Sequence, residues 1–202
     1  MRITSGILKG RTFNVPKEGV RPTTERTREA VFSSIAVYVP EARVLDLFAG
    51  SGGLGLEAWS RGAAHVTAVE KVSNHWKNLE KNFQTLEPTA GLGAWEAVRA
   101  DVYEYLKHCP RPSAAATEES IVGAGGDRAG SVGFDLIFAD PPYEEVDVSR
   151  LLEAVGDTLA PEGLLVFEMH KRDSYTLPPE WSCLKEKKYG STKVIFLERT
   201  HE

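Results

Sequence analysis

The sequence predicts an α/β fold: an open, mostly parallel seven-stranded sheet with helices on both faces, an antiparallel last strand, and a small β-hairpin extension at the N-terminus. Three observations predict it. Short apolar runs alternate with helical patterns through the middle of the chain. Two of those runs, around Asp46 and up to Asp140, lead directly into loops rich in Gly or Pro. Finally, residues 181–189 and 192–199 flank Gly190-Ser191 and read as a closing β-hairpin.

Taken in order, Ile3, Ile7, Leu8, Phe13 and Val15 alternate loosely with basic and polar positions, which predicts a hairpin turning near Gly10. Residues 16–22 are a linker. Thr23 or Thr24 caps a helix with Glu25 in its first turn. Val31, Phe32, Ile35 and Tyr38 or Val39 then recur at helical spacing until Pro40 ends the helix. A strand runs through Val44–Leu47, and a helix over 54–60 stops at Arg61-Gly62. A second strand spans 65–70. Ser73 caps a helix whose Trp76, Leu79, Phe83 and Leu86 share one face, as core residues rather than a base-stacking platform. A third strand over 95–100 ends at Asp101, which caps residues 102–107 with Glu104 as its partner three residues on. Residues 110–133 hold five Gly, five Ala, three Ser and two Pro without periodicity, and predict a flexible insertion in a domain spanning 23–202. The 134–139 strand, a helix over 148–159 and a buried strand over 163–169 complete the alternation.

Composition narrows the function classes. At 202 residues and 42% hydrophobic, the chain suffices for one domain with a sizeable core plus a small extension. No stretch approaches the ~20 apolar residues of a membrane span, and nothing near the N-terminus resembles a signal peptide. Cys109 and Cys183 stand in unrelated contexts, and His65, His75, His108, His170 and His201 have no motif around them. No metal site and no membrane association are expected, and the free thiols fit the cytoplasm. The net charge of −5 is unevenly spread: residues 1–28 hold seven Lys or Arg against two Glu, on an otherwise acidic body. Such a basic arm suits an RNA-facing surface.

Two stretches carry chemistry. In the first, Asp46 is followed by Phe48-Ala49-Gly50-Ser51-Gly52, with Gly50, Gly52 and Gly55 at G-x-G-x-x-G spacing. Glu70, followed by Lys71, closes the next strand, where a carboxylate accepts hydrogen bonds from both ribose hydroxyls. Alone, the glycine pattern also fits a dinucleotide or a structural turn. Asp46 weighs toward a nucleoside with a cationic tail, S-adenosylmethionine (SAM), because a carboxylate repels a pyrophosphate and attracts a sulfonium. In the second stretch, a strand ends in Asp140-Pro141-Pro142-Tyr143. Two prolines fix the backbone and remove two donors. The neighbouring carbonyls, the Asp140 carboxylate and the Tyr143 ring then suit a planar exocyclic amine of a nucleobase.

The two motifs together resemble the SAM-dependent amino-methyltransferases. The N-terminal residues Arg2 to Gly6, Lys9 to Arg11 and Arg21 to Glu29 make the chain similar to the bacterial RsmD-type methylases, over nearly all its length except 110–133. That resemblance implies a Rossmann-like class I SAM-dependent methyltransferase fold and methylation of N2 of one guanine in 16S ribosomal RNA, in a partly or fully assembled small subunit, by a monomer. It also implies that Phe48, Ala49, Gly50 and Gly52 contact the methionine part of SAM, that Glu70 holds the ribose, and that Ser51 and Lys71 belong to the cofactor site. Asp101 and Val102 would hold the adenine. Thr23, Thr24 and Arg28 would lie near the cofactor carboxylate. Arg11, Arg21 and Arg26 are the candidates for RNA phosphate. The tetrapeptide does not decide between guanine N2 and adenine N6. The alternatives are therefore an adenine-N6 methylase or an RNA-binding protein that holds SAM without transferring its methyl group.

Overall fold

A computed structural model describes residues 1–16, 23–109, 133–142 and 147–200. Arg21, Tyr143, most of the 16–22 linker and the 110–133 insertion up to residue 132 lie outside the described residues.

Seven strands form one sheet in the order β3-β2-β1-β4-β5-β7-β6. In sequence they are β1 Arg43–Leu47, β2 His65–Val69, β3 Ala94–Val98, β4 Phe134–Ala139, β5 Leu159–His170, β6 Trp181–Tyr189 and β7 Thr192–Arg199. The first five pair in parallel, and β7 runs antiparallel to both β5 and β6. The helices are α1 Glu25–Ser34, α2 Gly53–Ser60, α3 Ser73–Leu86, α4 Val102–His108 and α5 Val148–Gly156. Because side chains alternate along a strand, the sheet has two apolar faces. Val44, Val66, Leu136 and Phe138 pack with α1, α2, α3 and the N-terminal arm. Leu45, Leu47, Ile137 and Phe167 pack with α4 and α5. The alternating pattern, the mostly parallel sheet and the antiparallel last strand are as the sequence predicts.

Several elements differ from expectation; Ser73, for one, is the first residue of α3 and does not cap it, Val72 standing at the cap. The N-terminal hairpin contracts to one bridge, Arg2 to Thr12, closed by the Ile3 N–H to Arg11 carbonyl bond at 2.9 Å. The arm gains its order from the body instead. Ile3, Leu8 and Phe13 are buried in the same core as α1 to α3, and the Ile7 N–H donates to the Ser60 carbonyl at 2.7 Å. Helix α1 stops at Ser34 rather than Pro40. Ile35 and Val39 stay buried in the following turns, so their helical spacing reports burial and not helix. Strand β5 starts at Leu159, within the span expected for helix α5.

Thr24, not Thr23, is the N-cap of α1: its hydroxyl accepts from the Thr27 N–H at 3.1 Å. Thr24→Ala is expected to lower stability by ~1 kcal/mol, with Thr24→Ser nearly neutral. Urea denaturation of the two variants checks this.

Candidate active site

The site is built where the chain reverses its progress across the sheet. From β1 it moves outward through β2 and β3, then returns to place β4 on the other side of β1. Ligands of open α/β sheets bind outside the carboxyl ends of the strands at such a switch point. The β1–β4 register pairs Asp46 with Phe138 and Leu47 with Ala139. Phe48 and Asp140 therefore leave neighbouring strands at the same level, with strand axes ~4.8 Å apart. The glycine loop and the Asp-Pro-Pro segment therefore start side by side, bordering the crevice outside the strand ends where such sheets bind ligands.

Asp46 is 2% exposed, and its Oδ2 accepts the Gly55 N–H at 2.8 Å. This explains Gly55. A Cβ there would lie 3.1 Å from that oxygen and 3.2 Å from Val66. Burial pushes the Asp46 carboxyl up to about 7; the Gly55 bond opposes the rise, and the Asp140 and Glu70 charges add to it. The loop that follows is held in an unusual conformation. Phe48 has φ 59°, Gly50 55° and Gly52 83°. A left-handed Phe costs ~1–3 kcal/mol and persists only where its surroundings impose it. Those surroundings are visible. The Ala49 N–H donates to the Val69 carbonyl at 3.0 Å and the Gly50 N–H to Glu70 Oε2 at 2.8 Å. Ser51 is buried, with its carbonyl held by Asn82 Nδ2 at 3.0 Å. At Gly52, which caps α2, a Cβ would lie 2.5 Å from Leu79 Cδ1.

Glu70 projects from the end of β2 and also accepts the Val72 N–H at 2.7 Å through Oε1. One carboxylate thus ties the glycine loop to the start of α3. Asp101 caps α4, accepting from the Tyr103 N–H at 3.0 Å, while its Oδ2 meets the exposed Lys71 ammonium at 3.0 Å. The Lys71 bond, more than the cap, holds the Asp101 carboxyl below its usual range. Glu104 pairs with Lys107 at 2.6 Å rather than closing a capping box. Val102 is buried in the core beneath α4.

Asp140 is half-buried at the end of β4, with Pro141 buried and Pro142 exposed. The Thr23 hydroxyl lies 3.3 Å from Asp140 Oδ2 and 3.4 Å from Glu168 Oε2 on β5. The segment before α1 therefore reaches the crevice, but at the Asp-Pro-Pro side.

One cofactor assignment is corrected here. Arg28 has no exposed surface. Its guanidinium pairs with Glu57 at 3.4 Å, donates to the Arg2 carbonyl and Met1 Sδ, and lies 5.5 Å from the Phe13 ring centroid. No face of it is left for a ligand. The Thr24 hydroxyl is occupied by the α1 cap and by Thr27 Oγ1 at 2.9 Å. Arg11 and Arg26 are exposed. Sequence reasoning missed Glu57 and Glu168. Each had a signal, a lone acid within an otherwise apolar pattern: Leu54 to Trp59 for Glu57, Leu164 to Met169 for Glu168. Among the described residues no group of three or more His, Cys, Asp or Glu is arranged to hold a metal, and no helix is long and apolar enough to cross a membrane.

Known proteins are similar to this chain over nearly its whole length. A family model described as Conserved hypothetical protein 95 matches residues 1–198. The chain belongs to that family, the RsmD-type methyltransferases. It is 35% identical to YlbH of Bacillus subtilis, over 98% of this chain and 99% of YlbH. It is 33% identical to ribosomal RNA small subunit methyltransferase D of Haemophilus influenzae, over 94% of this chain and 89% of that protein. The solved structure of Escherichia coli yhhF superposes with a TM-score of 0.77 and 31% identity, covering 100% of this chain and 99% of that one. As an RsmD-type methyltransferase, the chain has the Rossmann-like class I fold.

Proposed function

We propose that this protein transfers a methyl group from SAM to the exocyclic N2 of one guanine in 16S ribosomal RNA of the small ribosomal subunit. The observation that carries the reading is the β1–β4 register, which starts the glycine loop and the Asp-Pro-Pro segment at adjacent strand ends. Membership of the RsmD family and the name of the Haemophilus influenzae relative support the ribosomal RNA substrate.

The residues fit SAM. Asp46 and Glu70 supply negative charge beside a cationic ligand, and the left-handed Phe48 within the glycine loop is the kind of strained residue found at ligand sites. SAM, when bound, supplies a methyl group activated by its sulfonium. The chain's task is the nucleophile, because an exocyclic amine shares its lone pair with the ring. Accepting its N–H bonds at Asp140 and at a Pro141 carbonyl favours a more tetrahedral nitrogen aimed at the methyl carbon. With SAM bound, the methyl group would pass to this nitrogen with the C–S electron pair left on sulfur, and Asp140 or solvent would receive the amine proton. Tyr143 stacks on the base, which leaves its own stack to enter. Most of the rate enhancement comes from positioning and fixed dipoles. Arg11, Arg21 and Arg26 hold RNA phosphate, and Asp101 with Lys71 and Val102 borders the adenine. The protein acts as a monomer in the cytoplasm.

The experiment is to incubate the protein with labelled SAM and either protein-free 16S RNA or small-subunit particles from cells lacking the modification. The RNA is then digested to nucleosides and the product identified. N2-methylguanosine is expected. N6-methyladenosine would replace the substrate assignment, and SAM binding without label transfer would make the protein a binding module.

Asp46 gives a pH test. Its raised value means that, in the unliganded protein, its contribution to stability is full below the ordinary aspartate value near 4 and is lost as pH rises through about 7. A sulfonium favours the ionised form, so SAM affinity is expected to rise about tenfold between pH 6 and pH 8, with proton release on binding. Calorimetry checks this, and Asp46→Asn should flatten the slope.

A further inference from the structure

Glu168 stands at the wall of the crevice on β5, level with Asp140, because Ala139 pairs with Phe167. It is 2% exposed, and its Oε1 has no hydrogen-bond partner among the described residues. Its other oxygen lies 3.4 Å from the Thr23 hydroxyl, which lies 3.3 Å from Asp140 Oδ2. Thr23 has one hydroxyl proton. If both carboxyls were ionised, that proton would serve one of them and the second contact would set two acceptors against each other. Both contacts are hydrogen bonds at once only if one carboxyl brings its own proton. The more deeply buried acid, with an oxygen unpaired, is the one that holds it.

We propose that Glu168 is a positioning residue for methyl transfer: a protonated, buried acid that donates to Thr23, whose hydroxyl in turn donates to Asp140 and fixes that carboxylate toward the target amine. The inference rests on the reading that Asp140 grips the base. The surroundings agree. Asp140 from β4 and Asp46 from β1 are the charged groups acting on Glu168, both negative, while across the ladder β7 presents Val194. Burial first, and the Asp140 charge next, push the Glu168 carboxyl well above the usual range. The chain of three groups also links the segment preceding α1 to the catalytic strand end.

The test compares turnover, SAM affinity and thermal stability of four variants. Thr23→Val and Glu168→Ala are expected to lose kcat by roughly tenfold or more, with SAM affinity within about twofold of the parent. Thr23→Ser should restore turnover. Glu168→Gln, whose amide donates as the neutral acid does, should stay within about threefold at pH 7. Activity of the parent should fall on the alkaline side as Glu168 ionises, and the Gln variant should lack that fall. Parental turnover in a folded Thr23→Val protein overturns the proposal. So does a Gln variant as impaired as the Ala variant, or one that keeps the alkaline loss. Failure is distinguishable from failure of the base-gripping reading: an active Asp140→Ala enzyme sinks that reading, whereas an inactive one beside an active Thr23→Val enzyme sinks only this inference.

Discussion

Asp140→Ala is expected to lower kcat by roughly 10²–10³-fold while leaving SAM affinity near that of the parent protein. Asp140 follows the last residue of β4, while the glycine loop is held by the Val69 carbonyl, Glu70 and Asn82, so those bonds remain when Asp140 is replaced. What it removes is an acceptor for the amine N–H, a fixed group whose benefit grows as positive charge develops on the nitrogen. A loss of that size corresponds to ~2.7–4 kcal/mol of transition-state stabilisation. Asp140→Asn should fall between, since the amide oxygen still accepts while its NH2 faces a donor. Single-turnover rates with saturating SAM, beside equilibrium SAM binding, separate the two effects. Unchanged rates in the Ala variant would remove Asp140 from the chemistry.

Glu57→Ala is expected to destabilise the fold by ~3–5 kcal/mol, because it leaves a buried guanidinium without its counter-charge. Glu57 lies on α2 with no exposed surface. It accepts from the Thr4 N–H at 3.0 Å, the Thr4 hydroxyl at 2.6 Å, the Ser5 N–H at 3.1 Å and Arg61 Nε at 2.9 Å. Arg28 Nε is within 3.4 Å of it, close enough to be an ion pair although the geometry is not that of a hydrogen bond. Burial holds the Arg28 guanidinium below its ordinary value and the Glu57 charge opposes that, so the pair stands or falls together. For a chain this long the loss is ~6–20 °C in Tm. The double variant Glu57→Leu with Arg28→Met should regain only the part due to the unpaired guanidinium, since the Thr4 and Ser5 N–H groups and Arg61 still lose their acceptor. Urea denaturation of the single and double variants measures both quantities. A loss below ~1 kcal/mol in Glu57→Ala would mean that solvent reaches Arg28.

What the sequence shows and hides divides along a physical line. Strands β6 and β7 are legible to the residue because Gly190-Ser191 leaves one way to join two runs of β-formers. The glycine loop and the Asp-Pro-Pro segment are legible because their backbone requirements are written in residue type. The end of α1 is not. Buried positions four apart occur in a run of turns as readily as in a helix, and Ile35 and Val39 supply them. The partners of Arg28 and Thr23 are hidden because residues distant in sequence do not show in a local pattern. Glu57 is 29 residues beyond Arg28, and Asp140 and Glu168 lie 117 and 145 residues beyond Thr23. Glu168 was visible as an acid in an apolar strand, but its role appears only once β5 is laid beside β4.

The order of the last two strands has a consequence for synthesis on the ribosome. Strand β7 lies between β5 and β6, though it is made after both. A nascent chain that has exposed β6 but not β7 therefore carries an unfilled slot, with the Leu165–Met169 edge open to any extended peptide nearby. The sheet closes only when the segment up to Arg199 clears the exit tunnel, so the slot stays open to misassociation from the emergence of β6 until that of β7.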